Sequence, residues 1–380
     1  MAVRVLSIHS RYGCRHSGAC CRSGWEIPAE PEIEDRLDAA VAAGKLGAGA
    51  PWSRPRVGLP HGARVVLRVT SGGACVFHEP GEPGPCAVQR RLGPDALPSA
   101  CRQFPRVTML SPLGVSVTLS HYCPTAAGLL FQEDGALEIV SDAPAFPAAW
   151  PYEGLDAREA LPPFVRPGVL MSWPAHARLE EHAVATLARS ELTPEAALAA
   201  LATTAERLRA WAPREGPFDA FAERVIDAVS FAPPPFAPPA SLEAALADWD
   251  RVAAAVPTGR PLSSPRAALE AVGIGRALEL VEAGWVELQA PVRRWLAARA
   301  FASWLALQGQ GARTTALGLR VALGVLRAEA AAGCAASGGQ PLAPAILKEA
   351  VRRADLLLHH LVDVEALARR LSRCERASAW

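Results

Sequence analysis

The segment Cys14-Arg-His-Ser-Gly-Ala-Cys20-Cys21 places three thiols within eight residues near the start of the chain. Gly18 lies between them and allows the backbone to turn tightly around a bound ion. Thiolate sulfur is a soft ligand that suits zinc and iron. The segment therefore predicts that the N-terminal part of the protein folds as a cysteine-rich metal-binding module.

The cysteines are unevenly distributed along the 380 residues, since seven of the nine precede residue 124. A disulfide framework explains them poorly, because the count is odd, the chain is long and the first residues do not resemble a secretory signal. Clustered thiols in a reducing compartment more often serve metals or redox chemistry. The predicted metal ligands are Cys14, Cys20, Cys21, Cys75, Cys86, Cys101 and Cys123.

Composition argues against nucleic-acid and membrane partners. The formal net charge is +1 and aromatic residues make up only 6% of the chain, so no global electrostatic attraction to an anionic partner is expected. No run approaches the roughly 18 consecutive apolar residues that a membrane span needs. We therefore expect a cytoplasmic protein that binds neither nucleic acid nor membranes.

A change in composition divides the chain into three predicted parts. Residues 1–142 form the cysteine-cluster metal-binding module, residues 143–168 a proline-rich connector, and residues 169–380 an α-helical domain. Within the first part we predict a helix over 30–43, a strand over 63–70, a hairpin over 106–120 and another over 131–140 turning at Asp134-Gly135. The predicted fold class is α+β, an irregular cysteine-rich module with short β-hairpins followed by an all-α bundle.

The second half is rich in Ala, Leu, Arg and Glu, which favour helices. Thr193-Pro194 and Ser241 carry the cap signals of two helices. Further helices are predicted over 264–283, 292–308, 314–332 and 344–372, and the segment FAPPPFAPP at 231–239 is predicted to be a rigid connector. His359-His360 is interpreted as helix surface or bundle packing, and Cys334 and Cys374 as isolated thiols.

Two segments resemble a known family. Tyr12-x-Cys14-x-x-Ser17-Gly18-x-Cys20-Cys21-Arg22 is similar to the opening motif of the YkgJ-type cysteine-cluster proteins, a zinc- or iron-chelating family. The stretch from Cys86 to Arg106, which includes Cys101-Arg-Gln-Phe-Pro, and the stretch SVTLSHYCPTA at 116–126 resemble the branch that contains the flagellin lysine-N-methylases. The likeness covers roughly residues 12–130 and is only general in the helical half.

The resemblance implies a metal-binding protein, and its branch implies methyl transfer from S-adenosylmethionine to lysines of a flagellin-like protein or peptide substrate. The alternative is a non-catalytic metal-binding, redox or carrier protein, or another metal-dependent enzyme that modifies peptides or proteins. We find no methyl-donor pocket or general base in the sequence, and Gly273-Ile-Gly275 lacks the strand and third glycine of a dinucleotide fingerprint. Whether the chain is an enzyme therefore stays open at this point.

Ser17 departs from the family pattern, which often has cysteine at that position. Serine is a poor ligand for a soft metal, so another group must complete the coordination, or one position stays open as in catalytic metal sites. The candidates are a later cysteine, His16, His78, His121, solvent or substrate. The expected cofactor is an iron–sulfur cluster or iron, slightly preferred over zinc because the thiols outnumber those that one structural zinc needs.

Overall fold

The computed structural model describes residues 2–47, 49–53, 62–79, 81, 84, 86–132, 135–230, 240–258, 262–308 and 311–374. The predicted connector at 231–239 and Asp134 of the second predicted hairpin lie outside these residues, and so does the side chain of Cys374. Helices and small sheets occur together, which confirms the α+β class.

The strands are short. They are β1 Val3–Leu6, β2 Pro28–Ala29, β3 Trp52–Ser53, β4 Val65–Leu67, β5 Arg106–Ser111, β6 Gly114–Leu119, β7 Ile139–Ser141, β8 Leu155–Asp156, β9 Phe164–Arg166 and β10 Val169–Leu170. They form three sheets with the strand orders β7-β1-β6-β5-β8, β2-β4-β3 and β10-β9.

The helices lie mostly in the second half. They are α1 Pro31–Ala42, α2 Ala87–Leu92, α3 Ser99–Gln103, α4 Pro124–Leu129, α5 Trp173–Ala188, α6 Pro194–Arg209, α7 Phe218–Ser230, α8 Leu242–Ala253, α9 Pro265–Leu269, α10 Ile274–Trp285, α11 Gln289–Ala300, α12 Ala312–Ala336, α13 Pro344–Asp355 and α14 Val364–Cys374. Single 3-10 turns lie at Ser7–His9, Cys20–Arg22, Pro94–Ala96, Pro213–Glu215 and Trp304–Leu307, and a π-helical segment lies at Leu356–Leu361. In the part of the chain that the structure describes, no helix is both long and apolar enough to cross a membrane.

The chain forms two compact units. The smaller unit comprises Tyr12–Arg106 and Cys123–Thr125, and the larger unit comprises Met1–Arg11, Val107–Tyr122 and Ala126–Trp380. The larger unit therefore contains the β1–β6 strand pair from the N-terminal part of the sequence as well as the helices. Contacts between distant segments, and not the composition change near residue 143, define these units.

The five-stranded sheet of the larger unit contains both strand orientations. β1 pairs in parallel with β6 and antiparallel with β7, while β5 pairs in parallel with β8. β5 and β6 are neighbours, as the predicted hairpin over 106–120 requires. The predicted second hairpin is wrong, because Ile139–Ser141 pairs with Val3–Leu6 and not with a neighbouring strand. A partner strand more than 130 residues away in the sequence is not visible in local alternation.

The predicted helix starts at Thr193 and Ser241 are confirmed, since their side-chain oxygens accept hydrogen bonds from the amides of Ala196 and Ala244. Other predicted helices are interrupted. Gly273, with a φ of 82°, separates α9 from α10, and α11 ends before Phe301. The segment predicted as one helix over 344–372 contains the π-helical segment Leu356–Leu361 between α13 and α14.

α12 is the central helix of the larger unit and is buried along most of its 25 residues. α8, α13, α6, α9 and α10 pack around it. The core also includes Trp295 and Phe301, which are fully buried. Burying such large apolar side chains is the main favourable contribution to folding of this unit.

The smaller unit has its own, more modest core. Its buried residues include Leu37 on α1, Leu67 on β4, Val88 on α2, and Phe77. Three partly buried cysteines pack against them: Cys21, Cys86 and Cys101. The predicted helix over 30–43 and the strand over 63–70 correspond to α1 and β4. The cysteine-bearing segments of the smaller unit therefore lie against its core.

Candidate functional site

The Cys14–Cys21 loop is shaped by glycine. Gly18 has a φ of 68°, and it precedes the 3-10 turn Cys20–Arg22 that carries two of the thiols. A Cβ atom at Gly18 would come within 2.6 Å of the Gly84 carbonyl oxygen and 2.7 Å of His78 Nε2. The loop can therefore approach this neighbouring backbone only because residue 18 has no side chain.

Backbone hydrogen bonds bring the other cysteines to this loop. The amide of Cys75 donates to the carbonyl oxygen of Cys21 over 2.6 Å, and His78 and Cys86 form an antiparallel bridge. Cys86 immediately precedes α2, and Cys101 lies on α3. Segments far apart in the sequence thus converge within the smaller unit.

Five thiols form one group, which we call the thiol cluster and define as Cys20, Cys21, Cys75, Cys86 and Cys101. The sulfur atoms of Cys20 and Cys21 are 4.0 Å apart. Cys21 also interacts with Cys86, and Cys75 and Cys101 are close enough to act electrostatically on Cys20 and Cys86. All five are free thiols.

The environment shifts the acidity of these thiols in different directions. Interactions with Cys20 and Cys86 raise the pKa of Cys21. The same contact with Cys21 lowers the pKa of Cys86 to about 7, whereas burial raises the pKa of Cys75 to about 11. Burial also raises the pKa of Cys101 well above its usual value. The contact with Cys21 therefore favours the thiolate form of Cys86, whereas burial disfavours it in Cys75 and Cys101.

Cys14 and Cys123 lie together with Tyr12 and are not part of the thiol cluster. The Tyr12 hydroxyl is 3.8 Å from the sulfur of Cys123 and also interacts with Cys14. Burial, together with these thiols, raises the pKa of Tyr12. Cys14 also interacts electrostatically with Cys20, so this pair of thiols neighbours the thiol cluster.

The contacts around Ser17 do not identify a group that would complete a metal site in place of the family's cysteine. Ser17 Oγ accepts a 3.5 Å hydrogen bond from the amide of Ala19, and His16 is exposed. Among the described residues, no group of three or more His, Cys, Asp or Glu side chains is arranged so that it could hold a metal ion.

A second polar group lies in the larger unit and was not found from the sequence. Asp355, which is fully buried, accepts hydrogen bonds from the His121 amide, His121 Nδ1 and Trp295 Nε1 at 2.5, 3.1 and 2.9 Å. Arg299 Nη1 lies 3.3 Å from Asp355 Oδ1, the oxygen that also accepts from Trp295. His121, predicted as a possible ligand, is thus held by a carboxylate.

The polar group continues on both sides of His121 and Asp355. His9 Nε2 is 3.2 Å from His121 Nε2, and His359 Nε2 is 3.9 Å from Asp355 Oδ1. His360 contacts Ser120 Oγ at 2.7 Å, so the interpretation of the histidine pair as bundle packing is incomplete. The only sequence signal for this group is the i, i+4 spacing of Asp355 and His359, because His9 is distant in the chain.

Burial by itself raises the pKa of Asp355, but His359, His121 and Arg299 outweigh it and hold this pKa well below its ordinary value. Burial lowers the pKa of His9 well below its usual value and that of His359 to about 3. The group therefore contains an ionised carboxylate paired with Arg299, and burial favours the neutral form of the His9 and His359 rings. Such perturbed groups mark candidate functional positions.

Comparison with known proteins adds no relative to this picture. No protein-family model matches the chain, and no curated protein and no solved structure matches it.

Proposed function

We propose that the smaller unit binds a transition metal through the thiol cluster, with an iron–sulfur cluster or iron preferred over zinc. The observation that carries this proposal is the convergence of five free thiols from four separate segments of the chain. Free thiols gathered at one place are costly to ionise together, and a bound cation offsets that cost.

The spacing of the sulfur atoms supports the proposal. Two thiolates bound to one tetrahedral ion at about 2.3 Å are roughly 3.8 Å apart. The separation of 4.0 Å between Cys20 and Cys21 is close to this value. A backbone hydrogen bond also holds the Cys75 segment next to Cys21.

The number of thiols supports iron. One tetrahedral zinc takes four ligands, whereas the thiol cluster offers five, and four cysteines suffice for an iron–sulfur cluster. Cys14 and Cys123 are not in the proposed ligand set, because they lie with Tyr12. When bound, an iron–sulfur cluster would supply electron transfer or a Lewis-acid position.

The test is metal analysis and absorbance spectroscopy of the full chain purified without oxygen. We expect iron with acid-labile sulfide and a broad visible absorbance, both lost in Cys86→Ser. Cys334→Ala is the matched control, because Cys334 is a buried thiol on α12, outside the thiol cluster. A colourless protein with stoichiometric zinc would contradict the iron preference, and a metal-free protein would contradict metal binding altogether.

The family resemblance supports a second proposal, protein lysine methylation with S-adenosylmethionine. Its test is titration of the metal-loaded and the metal-free chain with S-adenosylmethionine, followed by assay of methyl transfer to a flagellin-like protein. Saturable binding and methylated lysine are the expected results. Absence of binding by both forms would overturn the methylase proposal and leave a carrier or redox role for the metal.

A further inference from the structure

The backbone segment 75–78 joins two cysteine-bearing segments of the smaller unit. At one end, the amide of Cys75 donates to the carbonyl oxygen of Cys21 over 2.6 Å. At the other end, His78 forms an antiparallel bridge with Cys86. The same four residues therefore hold Cys21 next to Cys86, and the side chains of these two cysteines are in hydrogen-bonding contact.

Cys21 has a second neighbour, Cys20, but backbone geometry disfavours a disulfide between these two. Their sulfur atoms are 4.0 Å apart, and the peptide bond between them is trans. Consecutive Cα atoms across a trans peptide are about 3.8 Å apart, whereas disulfides usually join Cα atoms about 4.4–6.8 Å apart. Cys86 belongs to a separate segment and is free of this restriction. The geometry therefore favours Cys86 as the disulfide partner of Cys21.

The exposure of the two thiols allows a small oxidant to reach them. Both are free thiols, and both Cys21 and Cys86 are partly exposed. Cys75, which lies beside them, is only 6% exposed. Reactive cysteines lie in partly exposed positions, whereas buried cysteines are inert. The contact and the exposure thus single out the same pair.

We propose that Cys21 and Cys86 form a reversible disulfide when a peroxide oxidises the metal-free chain. One of the two sulfurs, as a thiolate, breaks the O–O bond of hydrogen peroxide and becomes a sulfenic acid, and the hydroxide released takes up a proton. The second sulfur then displaces the hydroxyl group, which leaves as water with the remaining proton. Two thiols lose two electrons and two protons, and the peroxide becomes two molecules of water.

The disulfide and a bound metal exclude each other, a consequence that rests on the proposed metal site. The bond removes two members of the thiol cluster and leaves Cys20, Cys75 and Cys101. These three are fewer than the four thiolates of a tetrahedral zinc site or an iron–sulfur cluster. A dithiol reductant restores the pair by thiol–disulfide exchange. The pair is then a redox switch for metal binding.

The test uses the full chain, fully reduced and stripped of metal with a chelator, and then exposed to one equivalent of hydrogen peroxide. The remaining thiols are counted and alkylated, and the chain is cleaved with trypsin without reduction. We expect the loss of two of the nine thiols. Mass spectrometry should find a link between peptide 16–22, which contains Cys20 and Cys21, and peptide 69–90, which contains Cys75 and Cys86.

Serine variants identify the linked sulfur in each peptide. Cys21→Ser and Cys86→Ser should abolish the link, whereas the matched variants Cys20→Ser and Cys75→Ser should retain it. Retention in the matched variants shows that loss of one thiol leaves this part of the chain folded. A link that persists in Cys86→Ser, a bond formed within peptide 16–22, or an unchanged thiol count would overturn the proposed disulfide.

The effect on metal binding is measured with zinc chloride as the probe, since the thiolates that bind iron also bind zinc. The oxidised chain should take up zinc only after treatment with dithiothreitol. Equal zinc content before and after reduction would overturn the switch. A chain that forms the link but binds no metal in either state would contradict the proposed metal site and leave the disulfide standing.

Discussion

The sulfur atoms of Cys20 and Cys21 lie 4.0 Å apart although the two residues are consecutive in the chain. Both residues lie in the 3-10 turn Cys20–Arg22. Cys21 is the member of the pair that also interacts with Cys86. Its sulfur connects the opening motif to the thiols that follow it.

Cys21→Ser should remove most of the bound metal, whereas Cys14→Ser should not. Loss of a group from a metal site costs at least about tenfold in affinity, and Cys21 contacts two other members of the thiol cluster. Cys14 has a hydrogen bond with Tyr12, and its interaction with Cys20 is electrostatic only. Metal content per chain, measured after anaerobic purification, checks this prediction. Equal metal loss in both variants would mean that the ligand set extends beyond the thiol cluster.

Ser17→Ala should leave metal content unchanged. Ser17 Oγ makes a long hydrogen bond to the Ala19 amide, and its carbonyl oxygen, which the substitution retains, accepts from Arg22. We expect a loss in the free energy of unfolding of at most about 1 kcal/mol, the usual contribution of one hydrogen bond. Metal analysis and urea denaturation are the measurements. Reduced metal content without a change in stability would instead assign Ser17 to the metal site.

Gly18→Ala should destabilise the smaller unit more than Gly24→Ala does. Both glycines have positive φ, 68° and 74°, so alanine pays about 1–2 kcal/mol for the left-handed conformation at each position. Only at Gly18 would the new Cβ meet other atoms, the Gly84 oxygen and His78, while nothing lies within 4 Å at Gly24.

We expect the additional cost at Gly18 to be about 1–3 kcal/mol, as for other overpacked positions. The difference between the two variants in urea denaturation isolates the steric part from the backbone part. Metal content should fall only in Gly18→Ala, since this substitution displaces the loop that carries Cys20. Identical stability of the two variants would show that the loop packs differently from the arrangement described above.

Stability of the larger unit should decrease as the pH falls below about 6.5. Burial, with Arg299 adding to it, lowers the pKa of His359 to about 3, and His360 and His121 also face this ring. Because the folded-state pKa lies below the unfolded value, the unfolded chain binds more protons between these limits. The stabilisation is therefore complete above about pH 6.5 and is lost as the pH approaches 3.

Each histidine kept neutral in this way makes the free energy of unfolding rise with pH by up to about 1.4 kcal/mol per pH unit. His359→Gln should reduce the slope by up to that amount, since glutamine has no proton to bind. Thermal or urea unfolding between pH 4 and 8 measures it. An unchanged slope in His359→Gln would mean that His359 is protonated in the folded protein.

Local sequence signals predicted local structure well. The cap residues Thr193 and Ser241 accept hydrogen bonds from backbone amides in the first turn of their helices. This interaction is predictable because it joins residues only three apart. The amphipathic helix over 30–43 and the turn between β5 and β6 have the same local origin. Gly273 is the counter-example, since a single residue with positive φ interrupts a composition that otherwise favours one long helix.

The cysteine content and the short spacing of Cys14, Cys20 and Cys21 are properties of the sequence alone, and they are sufficient to predict a thiol-rich module. How the cysteines group in space cannot be predicted from the sequence alone, because it depends on which distant backbone segments pair. Hydrogen bonds from Cys75 to Cys21 and the bridge of His78 with Cys86 bring the thiol cluster together and leave Cys14 and Cys123 with Tyr12. His9, His121 and Asp355 meet for the same reason, since burial of helices and strands in one core joins residues that are 112 and 234 positions apart.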